Sequence, residues 1–504
     1  MPRRSLGRAS LVLLGSTWIQ SALSLLTSVM IARVLGPTAV GALAINLGLA
    51  SLVMAVLLPG FSQAHLKRLT EGQDPGRCIG TMLLIQGALT VFLAAVLLVA
   101  WRAGVLADAP AGAVVFLAML GAQVVGRLSD VYLRVFIARV WVVGHGAVLL
   151  TSRVARLAAT AAVLVAAPSL PWVAATFLFE SALTVVVAAA TLAAFGIRAR
   201  RPTWDGVVDY WRYARPFLVT TPLALIQDSI DRVLVGRWAG LTAAGYYHVA
   251  RGLWEALTGV MAPPGLLLFT RLSALYAERS EARDRKARET FFNGLDRLLF
   301  VSTPLALAFW ALAPLGIEVV YGASFLPATT TLRILVLAAF AMNVINPYGY
   351  LFLALGAVAR LIPINAVRLA MYVLVLTILV HPGGPDWIPR GEAGAAVARL
   401  FVVVVLSGIY FRHTRALAGI PFYRPAAAYA VALAVGIITF HAAEAGLHAA
   451  FPSAVALEIP AGLVAFGVYL ASLDRLHAPT RTHLVTTAAL LSPRQMRDFL
   501  RERS

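Results

Sequence analysis

The sequence predicts an all-α polytopic membrane protein of about fourteen transmembrane helices. Two parallel six-helix lobes enclose a central cavity, and two more helices follow at the C-terminal end. Three observations predict this. Hydrophobic residues occupy 60% of 504 positions, above the roughly 45–50% of soluble chains. They gather into runs of about 20 residues, the helix length that crosses a bilayer core. Basic residues fall in alternate loops, as they do when one side of the membrane is cytoplasmic. The predicted division is 1–200 for spans one to six, 201–420 for spans seven to twelve, 421–475 for spans thirteen and fourteen, and 476–504 for a basic cytoplasmic tail.

Arg3, Arg4 and Arg8 precede span one, Leu11 to Val34. Without a small-residue cleavage site, this run reads as a retained helix rather than a signal peptide. Span two is Ala39 to Leu58, and Lys67, Arg68 and Arg77 lead into span three, Ile79 to Trp101. Span four is Gly112 to Val131; Arg134 and Arg139 separate it from span five, Gly146 to Ala167. Span six, Trp172 to Phe195, is followed by Arg198, Arg200 and Arg201. Spans seven and eight are Tyr213 to Val235 and Ala243 to Phe269, with Arg279, Arg283, Arg285, Lys286 and Arg288 beyond them. Spans nine and ten are Leu295 to Val320 and Leu326 to Leu355; Arg360 precedes span eleven, Leu361 to Val380. Span twelve is Ala393 to Phe411, then Arg412 and Arg415, then spans thirteen and fourteen, Tyr423 to Ala443 and Val455 to Leu473. The intervening loops hold little beyond Arg33, Arg102, Arg237 and Arg390. Both termini are therefore expected on the cytoplasmic side, and the formal net charge of +19 is assigned to topology rather than to nucleic acid.

Pro59, Pro263, Pro264, Pro304, Pro314, Pro347 and Pro363 fall in or beside spans and predict bends, because each removes a backbone donor. The tail from Ser492 to Arg503 reads as a short basic amphipathic helix on the cytoplasmic membrane surface, alongside lipid headgroups. Cys78 is the single cysteine, so no internal disulfide forms, and no Cys/His spacing suggests a metal or haem cofactor.

An internal repeat underlies the two lobes. Arg33, Gly36, Thr38, Ala39 and Gly41 recur as Arg237, Gly240, Thr242, Ala243 and Gly245 at one offset, 237 − 33 = 204. The register holds through Val29/Val233, Gly48/Gly252, Val56/Val260 and Pro59/Pro263. Span one maps on span seven, so both copies enter the membrane in one direction, which makes a parallel repeat about an axis along the membrane normal. The copies differ in charge. Asp228, Asp231 and Arg232 share one face of span seven, where span one has Ser24, Thr27 and Ser28. Arg251 and Glu255 share a face of span eight, and with a turn near Ala239 Asp228 and Arg251 sit at similar depth. Intramembrane ionisable groups cost roughly 2.5–3.5 kcal/mol each on insertion scales, so they are expected in a protein interior or aqueous cavity.

The run Ile31-Ala32-Arg33-Val34-Leu35-Gly36-Pro37 with Val40-Gly41 resembles the amino-terminal signature of Wzx-type polysaccharide repeat-unit flippases. These form a branch of the multidrug/oligosaccharidyl-lipid/polysaccharide exporter superfamily. Asp231-Arg232, Gly236, Gly240, Gly245-Tyr246-Tyr247 and Ala250 resemble that family's span-seven pattern. The motifs cover the chain to about Arg271, and topology alone covers the rest. The resemblance implies alternating-access movement of undecaprenyl-diphosphate-linked oligosaccharide from the cytoplasmic to the outer leaflet of a bacterial inner membrane. It implies a transporter rather than an enzyme, with the polysaccharide polymerase machinery as a partner.

By the same analogy, cavity arginines would hold the diphosphate, through charge-assisted and often bidentate hydrogen bonds. The candidates are Arg251 and Arg232, then Arg153 and Arg156 in span five, which are three apart and share a face, and Arg333, Arg368 and Arg399. Snorkelling to the headgroups is an equal reading for the span-five pair. Asp228, Asp231 and Glu255 either neutralise arginines until substrate displaces them or take up H⁺ or Na⁺ to couple transport to a gradient; a permanent Asp-Arg pair locking span seven to span eight is the structural alternative, favoured for Asp231. Glu180 reads equally as an interhelical hydrogen-bond partner or an ion site.

Rival classes are tested by what they require. A P-loop needs Gly-Lys-Ser/Thr, and the only lysines, Lys67 and Lys286, follow Leu and Arg. A membrane glycosyltransferase or polymerase needs outer carboxylates for acid/base work, yet the longest outer loop, around His381 to Glu392, offers Asp386 and Glu392 alone. A cation-coupled multidrug antiporter of the superfamily needs an acidic or apolar cavity, against which the intramembrane arginines argue. A lipid II flippase differs only in its sugar pocket.

Overall fold

The computed structural model describes residues 3–57, 61–104, 112–215, 217–277, 283–357, 360–383, 390–450 and 457–477. Pro59, Asp386 and the expected tail helix from Ser492 to Arg503 lie outside these residues. The described residues are all-helical apart from connections. By packing, the chain forms two compact units, Met1–His248 with Val380–Pro382, and Val249–Leu379 with Gly383–Ser504.

The first unit is built from α1 (Arg3–Leu57), α2 (Phe61–Thr70), α3 (Pro75–Arg102), α4 (Ala113–Ala138), α5 (Val142–Ala166), α6 (Leu170–Ala194), α7 (Trp204–Ala214), α8 (Phe217–Trp238) and the first turns of α9 (Leu241–Ala277). The 55-residue α1 contains predicted spans one and two, divided at Gly36, whose φ of 75° and ψ of 179° are not helical. Glycine alone takes that conformation freely, and Pro37 after it supplies no donor to the preceding turn. α4 packs on α6, while α1 packs on α4, α5 and α8.

The predicted spans leave out α2 and α7, two short helices outside the membrane runs. Thr203 caps α7, its hydroxyl accepting from Gly206 N at 3.3 Å. His65 of α2 joins three elements: its Nε2 lies 3.0 Å from the Val131 carbonyl of α4 and its Nδ1 2.9 Å from the Tyr210 hydroxyl of α7. A carbonyl only accepts, so Nε2 carries the proton and Nδ1 accepts from Tyr210. Burial holds the His65 pKa down to about 4, partly offset by the Val131 hydrogen bond. Arg68 adds an ion pair with Asp209 of α7, its Nη2 donating to Oδ1 at 2.8 Å and its Nε 2.6 Å from Oδ2. The segment before α7 lies on α3: Arg200 N donates to Gly76 O at 2.8 Å, and a Cβ on Gly80 would stand 1.8 Å from Arg200 O.

The second unit holds the rest of α9, then α10 (Arg283–Ala311), α11 (Ala313–Tyr321), a 3₁₀ turn (Ala323–Phe325), α12 (Ala328–Ala354), α13 (Leu361–Val380), α14 (Gly391–Ala418), α15 (Pro425–Ala450) and α16 (Glu458–Leu476). Predicted span nine, Leu295 to Val320, is here two helices: α10 starts earlier, and the chain breaks at Leu312 because Pro314 occupies the first turn of α11. Buried Asp296 ties α10 to the last two helices. Its Oδ1 accepts from Tyr423 Oη at 2.7 Å and Tyr429 Oη at 2.9 Å and meets His477 Nε2 at 2.9 Å.

Eleven described helices are long and apolar enough to cross a membrane. Dividing α1 at Gly36 adds one, and the charged α8 and α9 correspond to predicted spans seven and eight. These account for the fourteen spans read from the sequence.

Candidate functional site

The repeat offset reappears as contact. Gly36 (φ 75°) and Gly240 (φ 93°), 204 residues apart, turn the two hairpins. Thr38 Oγ1 lies 2.9 Å from its repeat mate, Thr242 Oγ1. A Cβ on Gly41 would stand 1.7 Å from Leu241 O, and one on Gly245 would stand 2.1 Å from Pro37 O. Leu241 is the mate of Pro37 and Gly245 the mate of Gly41, so each contact is returned by its equivalent. Such reciprocity is what a local two-fold axis produces. Deeper in the hairpin, a Cβ on Gly48 would meet Val233 Cγ2 at 3.0 Å. Glycines thus permit a backbone-to-backbone crossing of two repeat-related helices.

Below this crossing the repeat loses its chemical symmetry. Asp231 is completely buried, and its Oδ2 accepts from Tyr247 Oη at 2.7 Å, bonding α8 to α9. Its mate Thr27 is also buried, but its hydroxyl donates to Leu23 O at 2.8 Å within its own helix. Asp228 is exposed and Arg232 half-buried.

A second charged group in the same unit joins α5 to α6. Arg153 Nη1 lies 3.1 Å from Glu180 Oε1, and Arg156 Nη1 lies 2.9 Å from Glu180 Oε2. The Arg156 guanidinium carbon also sits 3.6 Å from the Phe177 ring centroid. Two arginines against one carboxylate leave one positive charge (2 − 1), and the Nε donors of both arginines are buried without a protein acceptor among the described residues. Arg153 retains 33% exposure of its side chain. The arrangement can therefore take an anion at its open side. Glu180, on which the sequence leaves two readings, bonds across helices here.

In the second unit, Arg251 is buried and pairs with Glu255 one turn on at 2.8 Å, the carboxylate side chain remaining 49% exposed. Arg399 of α14 lies between rings, its guanidinium carbon 5.0 Å from the Trp254 centroid and 5.3 Å from that of Tyr372, and Nη2 donates to Tyr372 Oη at 3.3 Å. Trp254, Arg251 and Glu255 all come from α9. Arg368 is half-buried, four residues before Tyr372 on α13. Arg333 is placed elsewhere in the unit, where Nε donates to Trp310 O at 3.2 Å and the guanidinium faces the Trp310 and Phe440 rings. Tyr247 enters from the sequence as part of the Gly245-Tyr246-Tyr247 motif, without a role, whereas Phe177, Trp254 and Tyr372 enter from the structure alone.

Comparison with known proteins adds three findings. The family described as "Polysaccharide biosynthesis protein" matches residues 6–276, more than half of the chain and both repeat hairpins. The teichuronic acid biosynthesis protein TuaB of Bacillus subtilis (strain 168) is 25% identical over 151 residues, so the similarity spans 30% of this chain and 30% of that relative. Among solved structures, the lipid II flippase MurJ in its inward closed conformation superposes with a TM-score of 0.70 at 12% identity, covering 92% of this chain and 99% of that one. An inward-facing multidrug resistance MATE transporter of the MOP superfamily gives 0.56 at 15% identity, covering 79% and 94%. At these identities the likeness is one of fold.

Proposed function

We propose that this chain, which belongs to the polysaccharide biosynthesis protein family, is a flippase. Its cargo in this reading is a polyprenyl-diphosphate-linked oligosaccharide repeat unit, moved from the cytoplasmic to the outer leaflet of a bacterial inner membrane. The observation that carries the reading is the unbalanced positive charge at Arg153, Arg156 and Glu180 within membrane-crossing helices. Intramembrane charge is costly and is retained where it marks a substrate or ion path. A diphosphate is a compact multivalent anion, and guanidinium forks meet phosphate oxygens two at a time. Arg251, with an exposed Glu255 as exchangeable counter-ion, offers a second foothold.

In this reading the crossing of the hairpins at Gly41 and Gly245 is the outer gate, which parts when the cargo is released. Asp228, Asp231 or Glu255 takes up H⁺ or Na⁺ to drive the cycle. Polymerisation of the delivered units belongs to separate machinery.

The test is reconstitution in liposomes. Leaflet exchange of a short-chain polyprenyl-diphosphate oligosaccharide is measured beside uptake of an organic cation under a proton gradient. Exchange of the lipid without the cation is expected. Cation uptake alone would move the protein to the drug-antiport branch, and movement of lipid II in preference to oligosaccharide lipids would make it a lipid II flippase. Arg251→Ala, normally inserted, is expected to lower the lipid rate; export at the parental rate would remove Arg251 from the binding role.

A further inference from the structure

A cleft of about 470 Å³ lies between the start of α13 and the later turns of α14. Arg360, Pro363, Ile364 and Val367 line one wall, at the spacing of a single helical face, and Ile409 and His413, one turn apart, line the other. Four of the six residues are apolar. Of the two polar groups, Arg360 stands just ahead of α13 and His413 lies in the later turns of α14. His413 Nδ1 donates to Ile409 O at 2.9 Å, since the carbonyl can only accept, and Nε2 is left as the ring atom that a ligand can use.

We propose that this cleft seats one glycerophospholipid with an anionic headgroup. Its phosphate would meet Arg360, a headgroup hydroxyl would donate to His413 Nε2, and one acyl chain would lie along Pro363, Ile364, Val367 and Ile409. An apolar trough ending in a cation matches an amphiphile. A free phosphate or a sugar would leave the trough unused. Loop charge assigns Arg360, Arg412 and Arg415 to the cytoplasmic side, where the leaflet is rich in anionic lipid and basic pockets between spans collect its headgroups. The cleft is built by residues of α14 and the start of α13, whereas the Arg153–Arg156–Glu180 group is built by α5 and α6.

The experiment titrates the detergent-purified full chain with phosphatidylglycerol or phosphatidylcholine and counts bound lipid by native mass spectrometry. Phosphatidylglycerol is expected to bind more tightly than phosphatidylcholine. Arg360→Gln is expected to weaken the first about fivefold, the worth of one basic group near a lipid surface, and to leave the second unchanged. Val367→Trp, which fills the trough from an exposed position, is expected to weaken both. The proposal is overturned if Arg360→Gln retains phosphatidylglycerol like the parent, if Val367→Trp changes neither lipid, or if a polyprenyl phosphate displaces phosphatidylglycerol at equal concentration.

Discussion

Replacing Gly41 by alanine tests the crossing of the hairpins at its tightest point. The new Cβ would stand 1.7 Å from Leu241 O, whereas ordinary contact begins at 3.4 Å, so the helices must part locally by up to the difference, 3.4 − 1.7 = 1.7 Å. The obstacle is backbone and cannot rotate aside. Overpacking of this kind costs about 1–3 kcal/mol, and an equilibrium biased by that amount shifts by roughly 5- to 150-fold. Alanine at Gly48 provides the milder comparison, because its Cβ would meet Val233 Cγ2 at 3.0 Å and Ser229 O at 3.2 Å, overlaps relieved by a few tenths of an ångström.

The assay uses Thr38→Cys with Thr242→Cys in a Cys78→Ser background, since the two hydroxyl oxygens lie 2.9 Å apart. Mild oxidation is expected to join the pair rapidly when Gly41 is present, and the joined protein is expected to stop flipping. Gly41→Ala is expected to slow the cross-link at least fivefold, while Gly48→Ala leaves it nearly unchanged. Equal cross-linking rates in the parent and Gly41→Ala would refute the claim that backbone contact holds the crossing closed.

Three further predictions follow from buried polar groups. Glu180→Gln leaves Arg153 and Arg156 without their carboxylate, so thermal stability in detergent is expected to fall by about 3 kcal/mol or more; inorganic diphosphate is expected to restore part of it, and no restoration would count against an anion site. Asp296→Leu removes the shared acceptor of Tyr423, Tyr429 and His477, and is expected to cost about 3 kcal/mol, read as earlier proteolysis of α15 and α16 than of the first unit. His65 titrates near 6.5 unfolded and about 4 folded, so its contribution is present above 6.5 and lost as pH falls towards 4, about 2 kcal/mol by pH 5. Melting temperature is therefore expected to drop more steeply between those values in the parent than in His65→Leu, and parallel slopes would contradict the assignment.

The span count and the repeat were legible because both are one-dimensional. Hydropathy marks each crossing whatever it packs against, and the 204-residue offset is visible at Gly36/Gly240 and Gly41/Gly245 before any contact is known. α2 and α7 were not legible by that ruler, being 10 and 11 residues long and too polar to cross. Asp74 ahead of Pro75 and Thr203 ahead of Trp204 were signals available for helix starts, since both cap their helices. Glu180 is harder still. Which arginines it meets depends on the rotation of α6 against α5, and no spacing within either helix encodes that. The break in span nine was readable at Pro314, but an apolar run on both sides of it hid the stop.

The paired hairpins also show where the two copies of one scaffold parted. At the Thr27 position a buried hydroxyl satisfies itself by donating to the carbonyl one turn back, a bond that asks nothing of the neighbouring helix. At the Asp231 position a buried carboxylate accepts from Arg232 N beside it at 2.8 Å and also from Tyr247 Oη of the next helix at 2.7 Å. The repeat mate of Tyr247 is Leu43, so the hairpins differ at both positions of this contact, Thr and Leu in the first and Asp and Tyr in the second. Groups that bond to each other are best exchanged as a pair. Asp231→Thr alone removes the carboxylate that accepts from the buried Tyr247 hydroxyl, and Tyr247→Leu alone removes one donor to a buried carboxylate. Each is expected to cost about 1–3 kcal/mol. Together they restore the first hairpin's arrangement, so the double variant is expected to be more stable than the sum of the single losses by about 1 kcal/mol or more. Additive losses would mean that Asp231 draws its stabilisation from groups other than Tyr247. If the cycle is non-additive while flipping stays abolished in the double variant, the carboxylate acts in transport as well as in joining α8 to α9.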